Sequence, residues 1–273
     1  MIKLIVTDID GTLVPDGSKD VNPRLFDIIR ELKSEGIVFA ACSGRSITSL
    51  SNLFEPVLSD VILCGENGGY IKCRDYTIAT HFMNPKFVKE LIHESRMIDN
   101  IVPCLCTPEI MYVERAKEED LTWLNDGYMT NTVVLDDLLL ADLNKVIKFS
   151  VLDKISAANN SGKRFNKKWH DILSVVESGL EWLDMTDKEV NKGRAVQDIQ
   201  NYLDIKPENT MVFGDNHNDL SMLENAKYSF AVKNARKEVL RKAKFITDSN
   251  LNDGVIKILE KVLKGDLNFD RNY

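Results

Sequence analysis

Several short stretches of the chain are apolar at nearly every position, and each stops abruptly at polar or glycine residues. Leu4-Ile5-Val6 runs into Thr7-Asp8-Ile9-Asp10-Gly11-Thr12-Leu13, Ile37 to Cys42 into Ser43-Gly44-Arg45, and Val61 to Cys64 into Gly65-Glu66-Asn67-Gly68-Gly69. Continuous apolar runs of this length predict strands buried on both faces, as in a parallel sheet. Between the first two, Leu25, Ile28, Ile29 and Leu32 recur with the helical period. Asn22-Pro23 supplies an N-cap and a first-turn proline for that helix, and Gly36 supplies its stop. Strand, helix and strand make a βαβ unit.

Tyr70 to Phe82 alternates like a hairpin, and near Asn84 the texture changes. A helix is expected over Pro85 to Met97. Mixed strand signals follow at Ile101 to Cys106, Ile110 to Glu114, Thr130 to Leu135 and Val146 to Leu152, then at Ile172 to Glu177 and Leu180 to Met185. Helical pieces lie among them near Lys117 to Asn125 and Ala157 to Trp169. The βα alternation resumes with a helix over Lys192 to Leu203, a buried strand over Thr210 to Phe213, and the polar loop Gly214-Asp215-Asn216-His217-Asn218-Asp219. Strands at Tyr228 to Val232 and Phe245 to Thr247 alternate with helices at Arg236 to Lys242 and Asp253 to Leu263. Gly265 to Tyr273 is polar and is expected to fray. The pattern predicts an α/β protein with a Rossmann-like, doubly wound parallel-sheet core over residues 1–83 and 187–273. An α+β domain over residues 84–186 interrupts it.

Composition narrows the picture. The chain has 273 residues, enough for two domains, and its net charge of -7 argues against a general nucleic-acid binder. No targeting segment or long apolar run is evident, so the expectation is a cytoplasmic protein without a membrane partner, a monomer or small homo-oligomer. Cys42, Cys64, Cys73, Cys104 and Cys106 sit mostly in strand-like runs and read as reduced, buried thiols. Cys104 and Cys106 are too close in sequence for the usual zinc spacing.

The chemistry gathers at strand ends. Asp8 and Asp10, two apart on an extended segment, can converge on one atom; Gly11 permits a sharp turn, and Thr12 can fix it by hydrogen bonding. Alone, the pair reads equally well as an acidic turn. In a parallel sheet, however, Ser43 and the trio Asp215, Asn218 and Asp219 end strands on the same edge, where ligands bind. Lys192-Gly193 begins the helix where the core resumes. Carboxylates from separate strands make a hard, oxygen-rich site that suits Mg²⁺. A hydroxyl, backbone N–H groups and a lysine suit a phosphoryl group.

At these residues the chain resembles the haloacid dehalogenase superfamily, and within it the Cof-like phosphatases of subclass IIB. Asp8-Ile9-Asp10-Gly11-Thr12-Leu13, Ser43-Gly44-Arg45, Lys192-Gly193 and Gly214 to Asp219 match its four motifs in order. The resemblance implies that Asp8 is a nucleophile forming an aspartyl-phosphate and Asp10 its general acid and base. It implies Mg²⁺ held by Asp8, the Asp10 carbonyl and Asp215, with Asp219 near the ion. Phosphoryl oxygens would be held by Ser43, the Gly44 N–H, Lys192 and Asn218. The insert then corresponds to a type 2 cap, which carries specificity for the leaving group. The implied activity is a phosphatase acting on a small phosphorylated metabolite such as a sugar phosphate. A phosphomutase of the same subclass and a non-catalytic phospho-acceptor are the alternatives.

Other residues carry plainer readings. Arg45 reads as a surface residue at a helix start, His217 as a variable loop position, and His81, His93 and His170 as structural. Asn67 resembles the Asn-Gly element of the subclass, which implies a turn role and a substrate-side role equally. Lys163, Arg164, Lys167 and Lys168 read as a solvated helix face. Trp123, Trp169 and Trp182 read as packing residues.

Overall fold

A computed structural model describes residues 1–127, 131–178 and 180–269. Thr130, which begins one expected strand, and residues 270–273 of the expected frayed end lie outside the described residues. The chain forms two compact units. Met1–Ser46, Leu50–Ala79 and the chain from Asn191 onward make one, and Ile47–Ser49 with Thr80–Val190 make the other.

In chain order the first elements are β1 (Leu4–Thr7), α1 (Arg24–Ser34), β2 (Val38–Cys42), α2 (Ile47–Leu53), β3 (Val61–Gly65), β4 (Tyr70–Cys73) and β5 (Tyr76–Thr80). The α1 helix is built as its sequence dictates. Pro23 already has helical φ and ψ of -55° and -27°, and Asn22 Oδ1 accepts from the Arg24 N–H at 3.0 Å. At the other end Gly36 takes φ +73° and the Ile37 N–H returns to the Leu32 carbonyl at 2.9 Å, a Schellman closure. Leu25, Ile28, Ile29 and Leu32 are all buried. The α2 helix is not among the expected elements.

There follow α3 (Pro85–Ser95), β6 (Ile101–Cys106), β7 (Met111–Val113), α4 (Glu118–Thr122), β8 (Thr132–Val134), β9 (Lys148–Asp153), α5 (Ser161–Trp169), β10 (Leu173–Glu177) and β11 (Trp182–Asp187). The chain ends with α6 (Lys192–Leu203), β12 (Thr210–Gly214), α7 (Leu220–Glu224), β13 (Tyr228–Val232), α8 (Lys237–Lys242), β14 (Phe245–Thr247) and α9 (Gly254–Leu263).

The larger sheet has the order β14-β13-β12-β1-β2-β3-β4-β5 and is parallel from β14 to β3, with β4 antiparallel to β3. Strands after β1 add on one side and strands after β12 on the other, so the winding reverses between β1 and β12. The expected α/β doubly wound core is therefore present. Its buried strands are apolar on both faces: Leu4, Ile5, Val6, Met211, Val212 and Phe213 have no exposed surface. Phe269 packs its ring 5.0 Å from that of Phe230 and 5.6 Å from Phe245, which holds the chain against the sheet edge as far as that residue.

The second unit is built on the sheet β10-β11-β9-β6-β7-β8, antiparallel except for β7 with β8. Val88, Leu91 and Ile92 of α3 and Phe165 and Trp169 of α5 pack with Phe149, Val151, Leu183 and Met185 in one apolar core. Trp169 donates to Glu94 Oε2 at 3.0 Å, and Trp123 stacks on Trp182 with centroids 5.8 Å apart, so all three tryptophans serve packing. Lys168 of the basic run is half exposed and pairs with Glu90 and Glu94 of the neighbouring helix. Among the described residues no helix is long and apolar enough to cross a membrane.

One buried charge in this unit is held by a partner that sequence does not reveal. Glu114 is 2% exposed, and Arg96 grips both its oxygens at 2.8 and 2.7 Å while the Leu138 N–H donates at 2.9 Å. Burial alone would raise the Glu114 carboxyl, but Arg96 and that N–H hold it below its ordinary value. Arg96→Met leaves the carboxylate unpaired. It should cost about 2 kcal/mol at neutral pH, less than a fully buried pair because the guanidinium is partly solvated. A depressed carboxyl stabilises above its unfolded pKa and loses that contribution as pH falls through the folded one. The difference between the two proteins in urea unfolding should therefore vanish in acid.

Candidate active site

The reversal of winding leaves a crevice at the carboxyl ends of β1 and β12, and these strands carry the two acidic motifs. The Asp8 N–H donates to the Phe213 carbonyl at 3.0 Å, which continues the β1–β12 ladder to the residue bearing the carboxylate. Gly11 follows with φ +80°, and a Cβ there would lie 2.5 Å from Asp215 Oδ2. Only glycine allows the Asp215 carboxylate so close to the first loop. Thr12, expected to bond within its own turn, instead donates its hydroxyl across to Asp215 Oδ1 at 2.6 Å. Asn234, which the sequence does not single out, donates to the Gly11 carbonyl at 2.7 Å.

Lys192, the first residue of α6, is 1% exposed, and its ammonium is bonded to Asp8 Oδ1 and to Asp219 Oδ1, the latter at 2.6 Å. Burial opposes the lysine charge, but the Asp219 and Asp8 carboxylates outweigh it and raise its pKa above the ordinary lysine value. Asp219 Oδ2 accepts from the Asp215 and Asn216 N–H groups at 2.9 Å each. Burial pushes the Asp8 carboxyl well above its ordinary range; repulsion from Asp219 adds to that, and Lys192 opposes it. Burial also raises Asp215, against the Thr12 hydrogen bond and with Asp219 repulsion adding.

Asp10 has a different environment. Arg45 Nε and Nη2 grip its two oxygens at 2.8 and 2.6 Å, and the Gly17 N–H donates to Oδ1 at 2.9 Å. Burial would raise the Asp10 carboxyl, but the Arg45 and Gly17 hydrogen bonds and the Arg45 charge hold it below its ordinary value. Arg45 thus faces the site instead of serving as a surface residue. Sequence holds no signal for this, because the pairing spans 35 positions.

Ser43 is buried at the end of β2, where its N–H donates to the Cys64 carbonyl at 2.9 Å and its Oγ accepts from the Arg45 N–H at 3.2 Å. Gly44 beside it is exposed, as is Asn218, whose amide donates to Asn67 Oδ1 at 3.0 Å. His217 lies outside this network, 3.6 Å from Glu238.

Ligand oxygens of Asp8, Asp215 and Asp219 all lie within 4.8 Å of one another. With Lys192 as their buried counter-ion, three carboxylates against one ammonium leave two negative charges, which is the charge of one divalent cation. An all-oxygen donor set fits a hard ion of the Mg²⁺ type.

A sequence profile of haloacid dehalogenase-like hydrolases matches residues 5–259. The chain belongs to that family. This hydrolase is a phosphomonoesterase, and its likeness to the Cof-like members stands. It is 25% identical to the 5-amino-6-(5-phospho-D-ribitylamino)uracil phosphatase YbjI of Escherichia coli over 99% of each chain. A crystal structure from Eubacterium rectale superposes with a TM-score of 0.89 at 32% identity, covering 96% of this chain and 99% of that one. A sugar phosphatase of subclass IIB shares the fold with a TM-score of 0.76 at 23% identity, over 95% and 98% of the two chains.

Lys192→Met in this hydrolase strands two buried carboxylates. It should lower stability at neutral pH by about 3–5 kcal/mol. The deficit should shrink as pH falls, because protonation removes the unpaired charge. Urea unfolding of both proteins at two pH values checks this.

Proposed function

We propose that this hydrolase removes the phosphoryl group from a small phosphorylated metabolite, in particular a sugar phosphate, through a phospho-enzyme formed on Asp8. The observation that carries the reading is geometric: oxygens of Asp8, Asp215 and Asp219 lie within 4.8 Å of one another, with the buried Lys192 ammonium bonded to Asp8 and Asp219. Asp10, two residues from Asp8, is paired with Arg45. In the first half-reaction the Asp8 carboxylate attacks phosphorus, the bond to the ester oxygen breaks, and Asp10, entering this step in its protonated form, gives that oxygen its proton and is left as the carboxylate. In the second, Asp10 takes a proton from water, the water oxygen attacks phosphorus, and the bond to Asp8 breaks with release of phosphate. The Arg45 and Gly17 hydrogen bonds favour the base form of Asp10, which the second half-reaction uses, and the proton that it takes from water there is the one it gives in the next first half-reaction.

Ser43 Oγ, the Gly44 N–H, Lys192 and Asn218 hold the phosphoryl oxygens in this reading. Asp8, the Asp10 carbonyl, Asp215 and Asp219 would hold Mg²⁺. A bound divalent ion supplies positive charge against the phosphoryl oxygens. Asp219 already satisfies both its oxygens with Lys192 and two N–H groups, so its main part is to hold Lys192 and the Asp215 loop in place. The Thr80–Val190 unit interrupts the chain between Ser43 and Lys192, and we assign it the part of a type 2 cap that selects the leaving group. The phosphorylated polyol in the name of the Escherichia coli relative supports a sugar-like leaving group.

Asp8→Asn should reduce phosphate release by about a thousandfold or more with the fold intact. Asp10→Asn should slow both half-reactions, by about a hundredfold or more overall. Steady-state assays on a panel of phosphorylated metabolites, with circular dichroism as the folding control, check both. Isomerised product without free phosphate would mark a mutase instead.

Mg²⁺ should also stabilise the folded enzyme without any substrate. At a hundredfold excess over its Kd the expected gain is about 2.7 kcal/mol. Asp215→Asn should lose that gain, which thermal unfolding with and without Mg²⁺ measures.

A further inference from the structure

One turn that plays no part in the chemistry above touches three loops that do. Glu66, Asn67 and Gly68 follow β3 with successive φ values of +53°, +53° and +109°. Left-handed backbone at two adjacent non-glycine residues is unfavourable and persists only where the surroundings impose it. Here the surroundings are the loops of the site. The Glu66 N–H donates to the Arg45 carbonyl and the Asn67 N–H to the Ser43 carbonyl, each at 2.9 Å, so the turn grips the Ser43-Gly44-Arg45 segment at both ends.

The Asn67 side chain continues the contact. Its Oδ1 accepts from Asn218 at 3.0 Å, and its Nδ2 would stand 3.3 Å from a Cβ built on Gly44. Gly68 leans on the third loop: a Cβ there would lie 3.0 Å from the carbonyl of Asn191, the N-cap of the helix that begins with Lys192.

We infer that Asn67 is a positioning residue for the phosphoryl group, its amide oxygen holding the Asn218 side chain beside the Ser43-Gly44 segment where a phosphoryl oxygen can meet it. The inference rests on the phosphatase reading. An asparagine suits the task on two counts. It tolerates the left-handed conformation better than most residues, and its amide presents an acceptor to Asn218 while filling the space that a side chain at Gly44 would need.

Asn67→Gly separates the amide from the backbone, since glycine keeps the left-handed turn without strain. KM for an aryl phosphate and the inhibition constant of inorganic phosphate should each rise about tenfold, with the melting temperature close to that of the unaltered enzyme. Combining Asn67→Gly with Asn218→Ala should add nothing to Asn218→Ala alone, because the two residues act as one unit. Asn67→Ala, which restores the backbone strain, should lower the melting temperature as well. Unchanged phosphate inhibition in Asn67→Gly, or additive effects in the double variant, would overturn the inference. Failure of the phosphatase reading would show differently: the unaltered enzyme would neither release phosphate from the aryl ester nor be inhibited by it.

Discussion

A lysine ammonium with almost no access to water has to be met by carboxylates, and in this protein that requirement ties the site together. Lys192 opens α6, Asp8 closes β1, and Asp219 belongs to the loop after β12; the ammonium binds all three segments. Asp219 extends the chain of bonds through its second oxygen, which fixes the N–H groups of Asp215 and Asn216. Asp215 is thereby set beside Gly11, where only a hydrogen leaves room for it. Breaking such a pair costs more than forming it gains, because the remaining partner is a desolvated charge. The arrangement is thus locked by the penalty for losing any member.

The same cluster is left negative by two charges, and repulsion from Asp219 adds to the burial that raises the Asp8 and Asp215 carboxyls. A divalent cation would restore balance in this cluster, Lys192 being already counted against its carboxylates. Asp10 is kept apart from this demand. Its bidentate pairing with Arg45 gives it a carboxyl lower than that of Asp8, although the two residues share one short segment. A divalent ion bound beside Asp8 would oppose the burial and repulsion that raise its carboxyl, and so favour the ionised form that a nucleophile needs.

Much of this is legible in the amino-acid sequence alone. The buried strands declare themselves as unbroken apolar runs, α1 by its period and its Asn22-Pro23 start, and the site by polar residues at strand ends. What stays hidden does so for physical reasons. Ile47–Leu53 is a seven-residue helix rich in serine and threonine, with too few turns to establish a period and weak intrinsic propensity. Arg45, Thr12 and Asn234 act through partners tens to hundreds of positions away, which no local pattern encodes. The left-handed Glu66 and Asn67 are imposed by neighbouring loops, and Phe269 is one aromatic residue in a polar tail whose partners lie on the sheet edge.

The central claim is that a covalent bond forms between Asp8 and phosphorus. Mass spectrometry of peptides from the Asp10→Asn variant, acid-quenched during turnover of an aryl phosphate, tests it most directly. An aryl leaving group needs little protonation, so with this substrate the variant is slowed more in the second half-reaction than in the first; the phospho-enzyme should accumulate, and the account predicts one phosphoryl group on the peptide containing Asp8. A variant that releases the aryl alcohol at a measurable rate while Asp8 stays unmodified, or a phosphoryl group found on another residue, would contradict it.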